Sequence, residues 1–257
     1  MQIKQNDIFQ LGDHKIACGR AEDKNLIKNL IGENKIRLIC CDPPYGCAFV
    51  ENKDWLGLRG VESKHFKGFQ KIQGDQLQTD LEYSQFTKSW LEATVPYLQD
   101  KNAFYIFNSD IMICALKKGI AESGGYNSQM IIWVKNGAVL GRKDYNPQHE
   151  LIQYGWFGTH KFERSKSRSV IFCPKPNKST IHPTQKPPEL LRKLVLNSTK
   201  VNEIIYDPFL GSSSTLIACE QIKRKCFGIE VSEEYVEKSI QRWEKLTGLK
   251  AQKIYGK

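Results

Sequence analysis

No stretch of this chain holds enough consecutive apolar residues to cross a bilayer, and Met1 to Asp7 lacks the apolar centre of a secretion signal. A soluble, cytoplasmic protein without a membrane partner is the expectation. The eight cysteines (Cys18, Cys40, Cys41, Cys47, Cys114, Cys173, Cys219 and Cys226) include no CxxC pair, which argues against a zinc site or a disulfide framework and for reduced thiols. His149-Glu150 is not followed by the second histidine of a zinc-protease helix, so no metal site is expected. Acids are in short supply as well. Against 38 Lys and Arg stand 28 Asp and Glu, giving a net charge of +10 that points to a polyanionic partner. With 257 residues, 40% of them hydrophobic, the chain can bury a full core as one α/β domain over residues 1–257.

What is present is organised around Cys40-Cys41-Asp42-Pro43-Pro44-Tyr45-Gly46. The apolar run Ile36 to Cys41 reads as a buried strand, and the prolines, which lack N–H groups, stop it at Asp42. A stiff turn then presents one carboxylate, prolyl carbonyls and a phenol ring at a strand's carboxyl end, where open α/β sheets bind ligands. These groups suit an exocyclic amine of a nucleobase, whose lone pair is delocalised into the ring. Hydrogen bonds from the amine to Asp42 and to the Pro43 carbonyl would return the lone pair to nitrogen, Tyr45 could stack on the base, and an in-line methyl could be attacked directly. An ordinary Asp-Pro turn after a strand is the competing reading.

The rest alternates strands and helices. Helices are expected over Asn25 to Ile31, Leu81 to Leu98, Ile111 to Ser123 and Leu216 to Gln221, with a last one capped by Ser232. Strands are expected at the end of Leu11 to Gly19, over Ala103 to Phe107, Gln129 to Val134, Glu203 to Asp207 and Lys225 to Glu230, with Glu150 to Tyr154 as an antiparallel return. Two polar segments interrupt this order. Residues 47–78 mix Arg59, Lys64 and Lys67 with Trp55, Phe66 and Phe69, as expected of a mobile loop clamping nucleic acid. Residues 156–181, with Lys161, Arg164, Lys166 and Arg168 facing the single acid Glu163, read as an insertion that lies on a phosphate backbone and recognises the target. A solvated surface insertion is the alternative for each. Pro208-Phe209-Leu210-Gly211-Ser212-Ser213-Ser214-Thr215 turns from a strand into a helix, and Glu230 follows Gly211 at a distance that suits an acid on ribose hydroxyls of an adenosine-containing cofactor.

Together these residues resemble the β class of DNA amino-methyltransferases, in which the catalytic motif precedes the cofactor motif, a circular permutation of the motif order. Asp42-Pro43-Pro44-Tyr45 is similar to the family's DPPY, His182-Pro183-Thr184-Gln185-Lys186-Pro187 to its HPTQKP segment, and Asp207-Pro208-Phe209 with Gly211-Ser212 to its DPFxGSG turn. The likeness runs from about Leu11 to Gly248 and is strongest to phage and prophage-type modification methylases, including around Ile132 to Lys135 and Arg142 to Tyr154. The resemblance implies a Rossmann-like methyltransferase fold with a mostly parallel twisted sheet and one antiparallel strand. It also implies a bacterial or phage-encoded enzyme, S-adenosylmethionine as methyl donor, a flipped base in double-stranded DNA as acceptor, and a possible homodimer. Asp42 would hold the amine, with Pro43, Pro44 and Tyr45 completing the catalytic turn. Asp207, Phe209, Gly211, Ser212, Ser213, Ser214 and Thr215 would wrap the cofactor, Glu230 would bind its ribose, and Thr184 and Lys186 its carboxylate.

Two positions depart from the family pattern. Ser213 stands where the family has glycine, so a side chain is expected to intrude on the cofactor turn, and Gly19-Arg20 replaces Gly-Asp, leaving Glu22 or Asp23 as the acid near adenine. Aspartate at the head of the catalytic motif favours adenine N6 in this family, serine cytosine N4. Cytosine C5 chemistry needs a cysteine nucleophile that usually follows proline, and the lack of any Pro-Cys pair argues against it. RNA or protein amide methylation, and a non-catalytic relic that binds DNA or cofactor, are the rival readings.

Overall fold

The computed structural model describes residues 2–46, 76–138, 144–164, 167–175 and 185–256. Their elements follow in the order β1 (Ile8–Leu11), β2 (His14–Cys18), α1 (Lys24–Ile31), β3 (Ile36–Cys41), α2 (Asp80–Thr94), β4 (Leu98–Asn108), α3 (Ile113–Glu122), β5 (Gly125–Val134), β6 (His149–Phe157), β7 (Val170–Phe172), α4 (Pro188–Ser198), β8 (Ile204–Asp207), α5 (Ser214–Gln221), β9 (Lys225–Glu230), α6 (Glu233–Thr247) and β10 (Gln252–Tyr255). The strands form one sheet in the order β10-β1-β2-β9-β8-β3-β4-β6-β5-β7. Within it β2, β9, β8, β3 and β4 are mutually parallel. β6 runs against them, as its sequence suggested. β1 is a second reversed strand, pairing antiparallel with both β2 and β10.

The alternation of side chains along the central strands divides the core into two layers. Leu38, Cys40, Tyr105 and Phe107 join Leu190, Leu194, Leu216 and Trp243 of α4, α5 and α6 on one face. Ile39, Cys41, Phe104 and Ile106 meet Ile27, Trp90 and Leu116 of α1, α2 and α3 on the other. A sheet covered on both faces is why β3 is buried along its whole length and lacks polar alternation. Among the described residues no helix is long and apolar enough to cross a membrane.

The sheet order places one feature that matters for chemistry. From β3 the chain moves outward to β4, whereas from β8 it moves the other way to β9. Where the direction of winding reverses between neighbouring parallel strands, a crevice opens beyond their carboxyl ends. β3 and β8 are those neighbours, with Ile39 opposite Tyr206. Asp42 follows β3 directly, and Asp207 is the last residue of β8.

Candidate active site

The Asp-Pro-Pro-Tyr turn stands at the β3 side of this crevice, with Asp42 and Tyr45 half-buried. It is closed by Gly46, whose φ of +64° favours glycine. A Cβ at Gly46 would lie 2.8 Å from Gln78 Oε1 and 3.1 Å from Tyr83. Its carbonyl accepts a 2.9 Å bond from the Gln78 N–H, which fixes the turn to the residues leading into α2. Tyr83 on α2 in turn receives a 2.7 Å bond from Asn108 at the end of β4.

Both oxygens of Asp42 are engaged. The Tyr45 hydroxyl donates to Oδ1 at 2.7 Å and the Lys186 ammonium donates to Oδ2. Lys186 also lies 3.2 Å from Glu150 Oε2, and Lys135 lies 2.7 Å from Glu150 Oε1. Lys186 is placed over the rings of Phe107 and Tyr45, 5.2 and 5.8 Å from their centroids. Each group reaches the site from a different element: Glu150 from the start of β6, Lys135 from just beyond β5, and Lys186 from the approach to α4. Burial raises the Asp42 carboxyl above its ordinary value; the ammonium of Lys186 opposes this and the charge of Glu150 reinforces it. Burial would raise Glu150 too, but the ammoniums of Lys186 and Lys135 outweigh it and hold the carboxyl at about 2. For Lys186 burial works against the charged form, and the two carboxylates more than compensate, so it stays an ammonium.

On the β8–β9 side, Glu230 accepts a 2.7 Å bond from the Gly211 N–H and a 2.9 Å bond from the Ser232 N–H. With the Val231 N–H as a third backbone donor, the carboxylate still has a lone-pair site free, so Glu230 can accept from a hydroxyl. Asp207 accepts from the Phe209 N–H at 3.1 Å and from Thr215. Burial outweighs those bonds, with Asp42 and Glu230 adding like charge, and lifts its carboxyl to about 7. Phe209 is half-buried against Phe86 and Trp90, its ring 5.7 and 5.4 Å from theirs. β8 pairs with β3 on one side and β9 on the other, so the strand ends that carry Asp42, Asp207 and Glu230 adjoin one another. Glu230 with acceptor capacity left for hydroxyls, Asp207 and the N-terminus of α5 make a set of polar groups that fits S-adenosylmethionine.

The structure gives several of the expected residues partners within the protein. Lys186, expected at the cofactor's carboxylate, donates to Asp42. Ser213 does not intrude on the cofactor turn: its hydroxyl donates to Ser239 of α6, fully buried. Ser212 and Ser214 face each other at 3.2 Å, and Arg242 donates to the Ser212 carbonyl. Asp23 caps α1, its Oδ1 accepting from the N–H groups of Asn25 and Leu26, while Glu22 pairs with Arg20 at 3.4 Å. Lys161 and Arg164 lie beyond the end of β6, which is the edge of the sheet opposite Asp42. There Arg37 of β3 donates to the Lys161 and Lys101 carbonyls at 2.7 and 2.8 Å. Arg168 is exposed beside Ser167, whose hydroxyl bonds Asn197 near the end of α4. Arg59, Lys64, Lys67, Lys166 and Thr184 lie outside the described residues. In the sequence Glu150 and Lys135 had no role at the acceptor turn. Lys135 stood only in a segment of family likeness, and Glu150 there, at the start of an expected strand and in a discounted metal pair, because nothing local marks an acid on β6 as the partner of lysines 15 and 36 residues away.

A doubly covered sheet with the carboxyl groups of Asp42 and Glu230 on either side of its switch point is the frame of a methyltransferase of the S-adenosylmethionine-dependent class. More narrowly, the chain belongs to the N6/N4 DNA methylase family, whose pattern it matches over residues 36–241. Its curated relatives include the type II methyltransferase M.HpaI of Haemophilus parainfluenzae, 27% identical over 259 residues that cover 90% of this chain and 74% of that enzyme. M2.MboI of Moraxella bovis is 25% identical over 239 residues, covering 84% and 83%. Among solved structures, M1.HpyAVI in complex with SAM superposes with a TM-score of 0.63 at 24% identity, covering 88% of this chain and 98% of that one. The PvuII DNA methyltransferase, described as cytosine-N4-specific, gives 0.69 at 17%, covering 93% and 92%. These structures share the fold.

Proposed function

We propose that the chain methylates adenine N6 in double-stranded DNA, by direct transfer to an extruded base held at Asp42 and Tyr45. The supporting observation is the charge of the acceptor site. Asp42 stands at the head of the turn with its carboxylate fixed by Tyr45 and Lys186, and the family likeness associates aspartate there with adenine. Asp42 and the Pro43 carbonyl would accept the two amine hydrogens and return the lone pair to nitrogen, and the Tyr45 ring would lie on the base. When bound, S-adenosylmethionine supplies an electrophilic methyl group on a sulfonium. Glu230 would hold its ribose and the turn from Asp207 to Thr215 its amino-acid part. Arg59, Lys64, Lys67 and Arg168 are proposed to contact the DNA backbone. The test is transfer of labelled methyl to unmethylated duplex DNA followed by separation of the modified bases. Label in N6-methyladenine, lost in Asp42→Ala, supports the reading. Label in N4-methylcytosine or in RNA alone overturns it.

A further inference from the structure

Four ionisable side chains meet behind the acceptor turn, two of each sign: Asp42, Glu150, Lys186 and Lys135. Tyr45 of the turn, Lys175 beyond β7, Asp207 at the end of β8 and the buried thiols of Cys40 and Cys41 are further titratable groups near them, and Tyr83 of α2 bears on Tyr45. Paired with Asp42 alone, the ammonium of Lys186 would make that carboxylate a weak base, because an adjacent cation lowers a carboxyl's proton affinity by about one to three pH units. A proton arriving on Asp42 would then leave a buried ammonium without a counter-ion, which is strongly unfavourable. Glu150 removes both difficulties: it shares Lys186 with Asp42, and Lys135 fixes its other oxygen.

We propose that Glu150 is a positioning residue for the transfer step: by giving Lys186 a second carboxylate, it lets Asp42 hold the target amine and then take its proton. The inference rests on the amine-methylation reading above. The amine nitrogen forms the new N–CH3 bond with its lone pair, the C–S bond breaks with its electrons left on sulfur, and the positive charge passes to nitrogen. The N–H proton goes to Asp42, which becomes neutral, while Lys186 remains paired with Glu150. Tyr45 belongs to the same device. Its hydroxyl bonds Asp42 Oδ1 at 2.7 Å and lies 3.4 Å from Glu150 Oε2, so a small swing frees Oδ1 for the amine. The raised Asp42 carboxyl and the firmly ionised Glu150 agree with this division of labour.

The test is the pH profile of methyl transfer to duplex DNA for wild type, Glu150→Gln, Glu150→Asp and Lys135→Met, each checked by thermal melting. Glu150→Gln leaves Lys186 wholly to Asp42. Its kcat is expected to fall by roughly 10- to 100-fold, part of what a general base contributes. KM for DNA should stay within about 3-fold, and the acid limb should move to lower pH. Glu150→Asp should restore the limb. Lys135→Met removes a cation instead and should move the limb to higher pH, which keeps the proposal testable if Glu150→Gln does not fold. An active wild type whose limb stays in place in both Glu150→Gln and Lys135→Met overturns this inference alone. A wild type that methylates no exocyclic amine overturns the reading beneath it, and this inference falls with it.

Discussion

Ser213 occupies a left-handed backbone position, φ +63° and ψ +27°, at the head of α5. For a residue with a Cβ that conformation costs about 1–2 kcal/mol. The family's glycine at this place is therefore explained by the backbone as much as by the cofactor, and the serine is tolerated because its hydroxyl reaches Ser239 in the core. Ser213→Gly relieves the strain but loses a bond of about 1 kcal/mol and gains chain entropy when unfolded, so its stability should stay within about 1 kcal/mol of wild type. Ser213→Ala keeps the strain and loses the bond, and should cost about 1 kcal/mol in urea unfolding. Cofactor affinity should be unchanged in both, since the side chain points to α6. Asp207 gives a second prediction at this scale. Its native carboxyl titrates near 7 and its ordinary value is 3.8, so between those pH values the native state holds a proton that the unfolded chain has lost. Stability therefore falls as pH rises through that window, by ~4 kcal/mol at most from this group. Asp207→Asn should match wild type near pH 4 and exceed it in denaturant unfolding at pH 8, while losing methyl transfer. At the residue scale the sequence singled out Asp42, Tyr45 and Glu230 through their motifs, and the structure sets them at the carboxyl ends of β3 and β9. The sequence could not disclose that Lys186 belongs to Asp42 or that Ser213 turns away, since both depend on packing between distant elements.

Among the elements, those with a local stop were legible. β3 ends where Asp42-Pro43-Pro44 removes the N–H groups, β9 ends at Glu230, and Ser232 caps α6 by accepting from the Tyr235 N–H. The helix expected to run to Leu98 stops at Thr94, because Pro96 starts a short 3-10 turn over Val95–Tyr97 and Leu98 already belongs to β4. β1, β7 and β10 were not read from the sequence. They have three or four residues each, and their pairing is supplied by partners far along the chain, Ile8 with Tyr255 and Val170 with Ile132. Arg37 ties several of these elements together. Buried on β3, it serves two backbone carbonyls and lies 3.7 Å from Glu163 and 3.6 Å from Glu203. Arg37→Met would leave two carbonyls without their donor, Glu203 without this cation and Glu163 with only Lys161, a loss of about 3–5 kcal/mol. Denaturant unfolding should show it, and trypsin should cut faster at Lys161 and Arg164 once the segment after β6 loses its anchor.

For the molecule as a whole, the charge of +10 was legible as affinity for a polyanion, but its distribution was not. The basic run after Trp156 looked like a single DNA-facing surface. In the structure it is divided by the direction of β6. That strand starts at His149, next to Glu150 on the Asp42 side, and ends at Phe157, beside the amino ends of β4 and β5. Lys161 and Arg164 follow, at the foot of the sheet, and β7 then brings the chain back up to Lys175 near the active edge. A central strand such as β3, at about 3.3 Å per residue, puts roughly 20 Å between the two edges. On the proposed reading, a duplex presenting a flipped base to Asp42 would lie along the carboxyl edge, and phosphates there would be separated from Lys161 and Arg164 by more than the about 10 Å over which 0.1 M salt screens a charge. Replacing both with serine should therefore change KM for duplex DNA by less than about 2-fold at that ionic strength. The slope of log affinity against log salt should also stay the same, whereas each lost phosphate contact would lower its magnitude by about 0.9. A slope reduced by one or two contacts would mean that the DNA wraps to the foot of the sheet, with more of the basic excess engaged than the acceptor edge requires.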